Sequence, residues 1–294
     1  MGGICAFLNP AAPPELGISV FYNNDRGNLC HEQRGLADPE KIGRQDYLGS
    51  AADPQGLIMP SSHIATAVKD GVNLVFAIIQ EPPSKVDSVR VPAVFNRVSV
   101  VSPSYQSTSA LADSQLHTLA ATTRERPIIY SIRKGAPVNI VRTDVHYSST
   151  GEYRAIDIKD GSGLAAYCAD GQSEFVIYQN TYNDLGFTEL NPIYRNYTLV
   201  NTESPGAADK SPLAVVYEDN ITWLYYVTRN GAIARADKVR GVWWAPSTLQ
   251  HYAQVDADSQ MAAVREGGKN HLFYFSNNKV KHIIDLQTQK TKGN

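Results

Sequence analysis

Short apolar segments rich in small residues recur six times along the chain. Each starts on one large apolar residue and continues with alanine or another small side chain, as in TLAATT, GLAAYCA and QMAAVRE. The anchors of the six segments are Ile4, Ile64, Leu119, Leu164, Leu213 and Met261. About a dozen residues later comes a second segment that carries Tyr, Phe or Trp, such as NLVFAII or TWLYYV. Alternation with a period of two and enrichment in aromatic residues are typical of β-strands.

The spacing of these segments predicts the fold. Successive anchors lie 45 to 60 residues apart, which is about the length of one four-stranded propeller blade. Turn signals such as Asp70-Gly71 and Gly267-Gly268 separate the segments, and no helical periodicity is sustained over three turns. We therefore predict an all-β, six-bladed β-propeller that spans residues 1–294 as a single domain, since each blade packs only on its neighbours. The short final repeat hints that the first and last repeats share strands.

Two stretches interrupt this rhythm. Residues 33–61 and 81–116 carry many of the Pro, Gly, Ser and Asp residues and account for the two longest spacings. Long loops in compact domains often have a function, so these stretches either cover a ligand site or are surface elaboration.

Composition narrows the partners more than it identifies them. A net charge of −2 gives no electrostatic reason to expect nucleic acid or an anionic membrane as a partner, and no run of 18 apolar residues exists. The first residues, MGGICAFLNPAAPP, lack the basic and apolar regions of a signal peptide, whereas two glycosylation sequons, at Asn196 and Asn220, would matter in a secreted protein. The sequence does not determine the cellular compartment of the protein, and it is compatible with a homodimer. Of three cysteines, Cys5 and Cys30 fall in one repeat and could pair.

The repeat pattern resembles the fungal fucose-specific lectin family of six-bladed propellers along essentially the whole chain. The resemblance implies sugar sites between blades, each with an Arg on the second strand, a Glu on the third and an aromatic platform. Arg and Glu bond directionally to vicinal hydroxyls, and the aromatic ring stacks on the sugar. Mapped onto this chain, the Arg place holds Ser19, Leu74, Ile128, Phe175, Trp223 and His271. The Glu place holds His31, Arg235 and His282 in the first, fifth and sixth repeats, with the register of the middle repeats open. Trp243 or Trp244 matches the platform.

None of the six Arg places holds arginine, so we do not expect fucose binding by that constellation. Apolar side chains there leave sugar hydroxyls unpaired, at about 1–3 kcal/mol per buried group. The substitutions favour a pocket for a planar or apolar molecule. The chain is also similar in general character, without a diagnostic motif, to the fungal hetero-Diels–Alderases of tropolonic sesquiterpenoid biosynthesis. That resemblance implies an enzyme that joins a tropolone quinone methide to a cyclic terpene such as humulene.

Such a reaction needs orientation and hydrogen-bond donors, and it needs no cofactor or metal. We therefore predict a cofactor-independent biosynthetic enzyme that binds a small apolar or aromatic molecule and steers a cyclisation. The alternatives are a glycan-binding lectin with altered or lost fucose specificity, and a non-catalytic interaction propeller. The candidate catalytic residues are Arg235, His271 and His282. The candidate ligand-binding residues are Trp223, Tyr226, Trp243, Trp244, Tyr274, Ser19 and His31.

Each candidate also has a structural interpretation. Trp223 and Trp244 suit packing between blades, and Arg235 suits an ion pair with Asp237 or Glu218. The histidines have an ordinary pKa near 6.5, which suits a general acid for loss of water, but lone strand histidines are common. Other chemistry is weakly indicated, because there is no Gly-x-Ser-x-Gly motif, no dinucleotide fingerprint and no paired carboxylates. Zinc held by His31, His271 and His282 lacks a supporting spacing.

Overall fold

β-Strands account for nearly all the regular structure of this protein. The structure, a computed structural model, describes residues 2–47, 58–79, 84–86, 89–91, 96–112, 118–134, 138–145, 149–154, 158–181, 187–191, 196–200, 206–249 and 254–286. One short 3-10 helix, Pro14–Leu16, lies between the first two strands. No helix in these ranges is long and apolar enough to cross a membrane.

Six antiparallel sheets form six blades in chain order, which confirms the predicted propeller. The first blade contains β1 (Ile4–Leu8), β2 (Ile18–Asn23), β3 (Leu29–Arg34) and β4 (Ile42–Tyr47). The second contains β5 (Ile64–Lys69), β6 (Val72–Ile79), β9 (Asn96–Ser102) and β10 (Gln106–Ala112), with a separate hairpin of β7 (Ser84–Val86) and β8 (Val89–Val91). The third contains β11 (Leu119–Thr123), β12 (Pro127–Arg133), β13 (Asn139–Asp144) and β14 (Ser149–Arg154).

The remaining blades follow the same meander. The fourth contains β15 (Leu164–Ala169), β16 (Ser173–Gln179), β17 (Phe187–Asn191) and β18 (Asn196–Val200). The fifth contains β19 (Leu213–Glu218), β20 (Ile221–Val227), β21 (Ile233–Val239) and two short outer strands, β22 (Val242–Trp243) and β23 (Ser247–Thr248). The sixth contains β24 (Met261–Glu266), β25 (Lys269–Ser276) and β26 (Lys279–Asp285). All described strands of the first and sixth blades come from their own repeats, so strand sharing is not seen in the described residues.

The two irregular stretches hold more regular structure than expected from sequence. Residues 33–61 contain the outer strand β4, and residues 81–116 contain β9, β10 and the extra β7–β8 hairpin. The Pro and Gly residues there interrupt the pattern between strands, and this hid the outer strands from the periodicity. The pairing of Cys5 with Cys30, which the sequence left open, is not formed, because both are free, buried thiols.

The apolar side chains form six clusters, one between each pair of neighbouring blades. Trp223 and Tyr225 of the fifth blade pack with Leu272 and Tyr274 of the sixth. The alternate residues of the same fifth-blade strand turn toward the fourth blade, where Tyr226 contacts Phe187 edge-on. Because side chains alternate along a strand, each blade contributes one face to each of two grooves. The inter-blade groove is therefore both the core and the place where polar side chains meet.

A buried glutamine closes the ring on its axis. The inner strands surround an axial cavity of about 100 Å3, lined largely by alanine and other small side chains. Gln260, at the start of the sixth blade, accepts hydrogen bonds through Oε1 from the backbone N–H of Ile4 (3.0 Å) and of Ile64 (2.8 Å). Its Nε2 donates to the carbonyl of Ile64 at 2.9 Å. One side chain thus joins the sixth, first and second blades.

Candidate functional site

The strand register fixes which third-strand residues are equivalent in the six blades. In every blade the anchor residue of the first strand pairs with a residue of the second strand. The second-strand residue one position before that partner pairs in turn with the equivalent third-strand residue. The six third-strand residues are His31, Val100, Arg142, Glu189, Arg235 and His282, opposite Phe21, Phe76, Tyr130, Ile177, Tyr225 and Phe273 respectively. The register of the middle repeats, which the sequence left open, therefore places a carboxylate, Glu189, at this position in the fourth blade.

Glu189 is the centre of a polar cluster between the fourth and fifth blades. We define the 4/5 groove as the cleft bounded by Tyr167, Phe175, Glu189, Tyr217, Lys238 and Trp243. The hydroxyl of Tyr167 donates to Glu189 Oε1 at 2.5 Å, and Lys238 Nζ lies 2.5 Å from Glu189 Oε2. Glu189 is only 1% exposed, so the buried carboxylate is satisfied by one hydroxyl and one ammonium group.

The cation of this groove comes from the neighbouring blade. Phe175 occupies the place on the second strand that the sequence comparison assigns to arginine, and Lys238 Nζ lies 4.6 Å from the centre of its ring. Lys238 belongs to β21 of the fifth blade, whereas Phe175 and Glu189 belong to the fourth. The groove therefore has a cation, a carboxylate and an aromatic ring together, with the cation on a different strand from the one expected.

Aromatic rings form the walls of the 4/5 groove. Tyr167 stacks on Phe175 with ring centres 4.9 Å apart and on Tyr217 with ring centres 5.7 Å apart. Lys238 Nζ also lies 5.8 Å from the centre of Trp243. Burial raises the pKa of Tyr167, and the charge of Glu189 raises it further, so its hydroxyl stays protonated as a donor. Phe175 and Tyr217 are half-buried, and their rings are the part of the wall that solvent reaches.

One hydrogen-bond donor in this groove has no partner in the part of the chain that the structure describes. Trp243 is 7% exposed, and its indole Nε1–H makes no hydrogen bond to any residue that the structure describes. A buried N–H without an acceptor costs about 1–3 kcal/mol. The neighbouring Trp244, which lies just after the end of β22, is 55% exposed. Of the two tryptophans that matched the aromatic platform, Trp243 is thus the one that lies in a groove.

The groove between the third and fourth blades contains a fully paired carboxylate. Glu174, on β16, receives two hydrogen bonds from Arg142 at 2.6 and 2.8 Å and one from the hydroxyl of Tyr130 at 2.7 Å. Burial alone would raise the pKa of Glu174, but the bonds from Arg142 and Tyr130 outweigh it and lower the pKa. The groove therefore joins two blades through an ion pair whose hydrogen-bonding groups are already occupied.

Arg235 is engaged in a similar way between the fifth and sixth blades. Its Nε lies 2.7 Å from Asp237 Oδ1, and its Nη1 lies 2.7 Å from Asp285 Oδ2. The expected ion pair with Asp237 is present, whereas Glu218 pairs instead with Arg265. The Arg265 guanidinium lies 4.1 Å from the ring centre of Trp223. Trp223 and Arg235 thus share a groove in which charges are balanced and rings are covered.

The two candidate histidines of the sixth blade bond to each other. His271 Nδ1 and His282 Nε2 are 3.0 Å apart, and His282 stacks on Phe273. Burial lowers the pKa of His271 to about 4, with a smaller effect of Lys269. Burial also lowers the pKa of His282 to about 3, helped by the charges of His271 and Arg34. Both are therefore neutral near pH 7, so the ordinary pKa that suits a general acid is not retained.

The structure does not gather the ten candidate residues into one site. Tyr226 and Trp243 face the 4/5 groove, Trp223, Arg235 and Tyr274 face the groove between the fifth and sixth blades, and His271 and His282 face the first blade. Ser19 is a buried residue of the first blade, and His31 stacks on Phe21 at 4.4 Å. No three His, Cys, Asp or Glu side chains of the described chain are arranged to hold a metal ion, so the three histidines do not form the zinc site considered.

Sequence reasoning missed Glu189, Lys238, Tyr167 and Tyr217. Glu189 carried a signal, because it lies in the third-strand segment FTELN directly after Gly186, but the sequence left the register of the middle repeats open. Lys238 had no such signal in the sequence, because its role depends on which residue of the adjacent blade it contacts.

Comparison with solved structures identifies lectins as the similar folds. The lectin of Aleuria aurantia, described as a six-bladed β-propeller with a novel fucose recognition mode, matches with a TM-score of 0.68 and 13% identity over 96% of this chain and 91% of the lectin. The SapL1 lectin, solved in complex with α-methyl fucoside, matches with a TM-score of 0.60 and 11% identity over 96% and 94%. The BP39L lectin of Burkholderia pseudomallei matches with a TM-score of 0.58 and 14% identity over 96% and 81%.

The chain therefore has the all-β, six-bladed propeller fold that resembles the Aleuria-type fucose lectins. No protein-family model matches the chain, and no curated protein sequence matches it. Sequence identities of 11–14% show a shared fold and do not show a shared ligand. The ligand is therefore inferred from the side chains of the groove.

Proposed function

We propose that this protein is a carbohydrate-binding propeller with an altered sugar preference, and that the 4/5 groove is its binding site. The observation that supports this most is the meeting of Glu189 and Lys238, from different blades, beside half-buried aromatic rings. A sugar ring needs both elements, since its hydroxyls require directional partners and its C–H face requires an aromatic surface.

The pair differs from an arginine and glutamate pair in a way that changes specificity. A guanidinium has a rigid fork that donates two parallel hydrogen bonds, whereas an ammonium group is a compact charge with three rotatable donors. Lys238 therefore donates to a single ligand oxygen, whereas an arginine would donate to two vicinal hydroxyls. We expect fucose to bind less tightly than a sugar whose best contacts are one acceptor oxygen and one apolar face.

Isothermal titration calorimetry with fucose, galactose, mannose, glucose and their N-acetylated amino sugars tests this proposal. At least one sugar should bind with a Kd below about 1 mM, and Lys238→Met should weaken that binding about tenfold or more, because a charged hydrogen bond contributes about 1.5–3 kcal/mol. Lys279→Met is the matched control, because Lys279 is exposed on the sixth blade and lies outside the groove. No saturable binding of any sugar would contradict the proposal.

A second function is supported by the extent of the aromatic wall. Phe175, Tyr167 and Tyr217 form three successive stacked rings, and Trp243 lies on the other side of Lys238. One ring is enough to stack on a sugar, so this larger surface also suits a planar aromatic molecule with one oxygen near Lys238. On this basis the second candidate is a cofactor-independent cyclase that orients a tropolone quinone methide against a cyclic terpene.

A turnover assay separates the two candidates. The protein is incubated with a hydroxymethyl tropolone and humulene, and the rate and stereochemistry of the adduct are compared with those of the spontaneous reaction. A cyclase gives a faster, single-stereoisomer reaction that Lys238→Met slows, whereas a lectin leaves the spontaneous rate and mixture unchanged.

A further inference from the structure

Two N–H donors of the 4/5 groove are available to a ligand, counted over the described residues. Each carboxylate oxygen of Glu189 already accepts one hydrogen bond, one from Tyr167 and one from Lys238. The Tyr217 hydroxyl donates to Asp170 at 2.6 Å, and the Tyr167 oxygen accepts from Lys238 at 3.4 Å. An ammonium group has three donors, so Lys238 has one N–H left after these two contacts. The Trp243 Nε1–H has no partner among the described residues.

The two available N–H donors, on Lys238 and Trp243, therefore favour a ligand that presents a hydrogen-bond acceptor. A hydroxyl satisfies a free donor, but it brings a proton that needs an acceptor of its own, and each Glu189 oxygen that could accept it already holds one hydrogen bond. A carbonyl oxygen accepts two hydrogen bonds and donates none. This oxygen is the group that matches one ammonium N–H and one indole N–H.

Charge separates a neutral carbonyl from a carboxylate. Lys238 and Glu189 form an ion pair with little exposure, 12% for the lysine and 1% for the glutamate side chain, so the groove is neutral before a ligand enters. A carboxylate would add an unpaired negative charge next to Glu189, and burying an uncompensated charge is costly. A neutral carbonyl adds no charge. An apolar group attached to it would lie against the rings of Phe175 and Tyr217.

We propose that the 4/5 groove recognises the acetamido group of an N-acetylated amino sugar, with its carbonyl oxygen bound by Lys238 and by the Trp243 indole N–H. This rests on the proposed carbohydrate-binding function and names the part of the sugar that carries specificity. Lys238 keeps its ion pair with Glu189 and uses its remaining N–H for the carbonyl oxygen. The methyl group of the acetamido group packs against the rings of Phe175 and Tyr217.

Calorimetric titration with matched sugar pairs tests the proposal. The ligands are N-acetylglucosamine, N-acetylgalactosamine and N-acetylmannosamine, each compared with the parent hexose and with the unacetylated amino sugar. At least one acetylated sugar should bind ten or more times tighter than its parent hexose, which corresponds to about one good hydrogen bond. The unacetylated amine should bind no better than the hexose, because it lacks the carbonyl and carries a positive charge.

The variant Trp243→Phe removes the indole N–H and keeps an aromatic ring. It should reduce the ratio of affinities between the acetylated sugar and its parent hexose about tenfold. Trp244→Phe, at the exposed neighbouring position, is the matched control and should leave that ratio unchanged. Circular dichroism and thermal unfolding establish that both variants fold.

The outcomes separate this inference from the function on which it rests. If sugars bind without a preference for the acetylated form, or if Trp243→Phe preserves that preference, the acetamido inference is overturned and the carbohydrate-binding proposal stands. If no sugar binds, both are overturned. If Trp243→Phe does not fold, the sugar pairs alone decide, because the wild-type preference is measured without any variant.

Discussion

Gln260 is the residue whose loss should most clearly reveal how the ring is closed. Its side chain makes three hydrogen bonds at 2.8–3.0 Å to the backbone of Ile4 and Ile64, two residues with no exposed surface. Replacing it with alanine leaves two backbone N–H groups and one carbonyl without their partner where three blades meet. The variant Gln260→Met leaves the same groups unpaired but keeps most of the side-chain volume.

The magnitude follows from the three unpaired groups. Each buried, unsatisfied backbone group costs about 1–3 kcal/mol, so the lower bound for three is about 3 kcal/mol. The axial cavity is close enough to admit water to the vacated space, which keeps the loss near that lower bound. We therefore expect Gln260→Ala and Gln260→Met to lower the free energy of unfolding by about 3 kcal/mol each.

Urea unfolding followed by tryptophan fluorescence measures this difference. The slope of the free energy with urea should stay the same, so that the midpoint alone shifts. Gln172→Ala, at an exposed turn position, is the matched control and should change stability by less than about 0.5 kcal/mol. A loss below about 1 kcal/mol in both Gln260 variants, with an unchanged slope, would refute the claim that this side chain closes the ring.

Three further predictions concern the buried polar groups. The pKa values of His271 and His282 are lowered to about 4 and 3, so between pH 7 and pH 5 the unfolded chain binds protons that the folded chain does not. The free energy of unfolding should therefore fall by about 2 kcal/mol per histidine over that range. Urea unfolding of the variant His282→Gln should show a smaller fall. Glu174→Gln leaves Arg142 without its carboxylate and should cost about 3 kcal/mol at pH 7, measured by urea unfolding. Ser162→Ala removes the acceptor of a 2.7 Å bond from the Gln179 backbone N–H and should cost about 1–2 kcal/mol in the same measurement.

Each of these has a control and a contradicting result. Glu125→Gln, at a 75% exposed carboxylate, and Ser104→Ala, at an exposed turn, should each stay within about 0.5 kcal/mol of the wild type. Stability that stays flat from pH 7 to pH 5, or buried variants no less stable than these controls, would contradict the corresponding prediction.

The fold was predictable because its signal repeats. A single segment of alternating apolar residues does not distinguish a sandwich from a barrel or a propeller. Six such segments, each with a large apolar residue followed by alanine or another small residue, indicate a ring, because strands that converge on an axis need small side chains at the same position six times. A serine shortly before the inner strand also repeats in the second, fourth and fifth blades. These residues, Ser62, Ser162 and Ser211, each accept a hydrogen bond from a backbone N–H of the second strand.

The candidate site was only partly predictable. The sequence mapping placed Phe175 on the second strand, where the structure has it, and it matched either Trp243 or Trp244 to the aromatic platform, of which Trp243 lies in a groove. Most candidate residues lie in the fifth and sixth repeats, but the structure divides them among three grooves. Their nearness along the chain does not carry over to space, because strand alternation sends neighbours into different grooves.

The sequence by itself determined the six-fold repeat, the all-β character and the alternation that assigns each side chain to one of two grooves, because these depend on residue type at regular spacing. Only the tertiary structure decided that Lys238 of the fifth blade meets Glu189 of the fourth, and that the Trp243 indole N–H has no hydrogen-bond partner among the described residues. Such contacts depend on the register of two adjacent blades joined by irregular turns. An interaction between residues 49 positions apart leaves no local pattern in the chain, so it is set by packing.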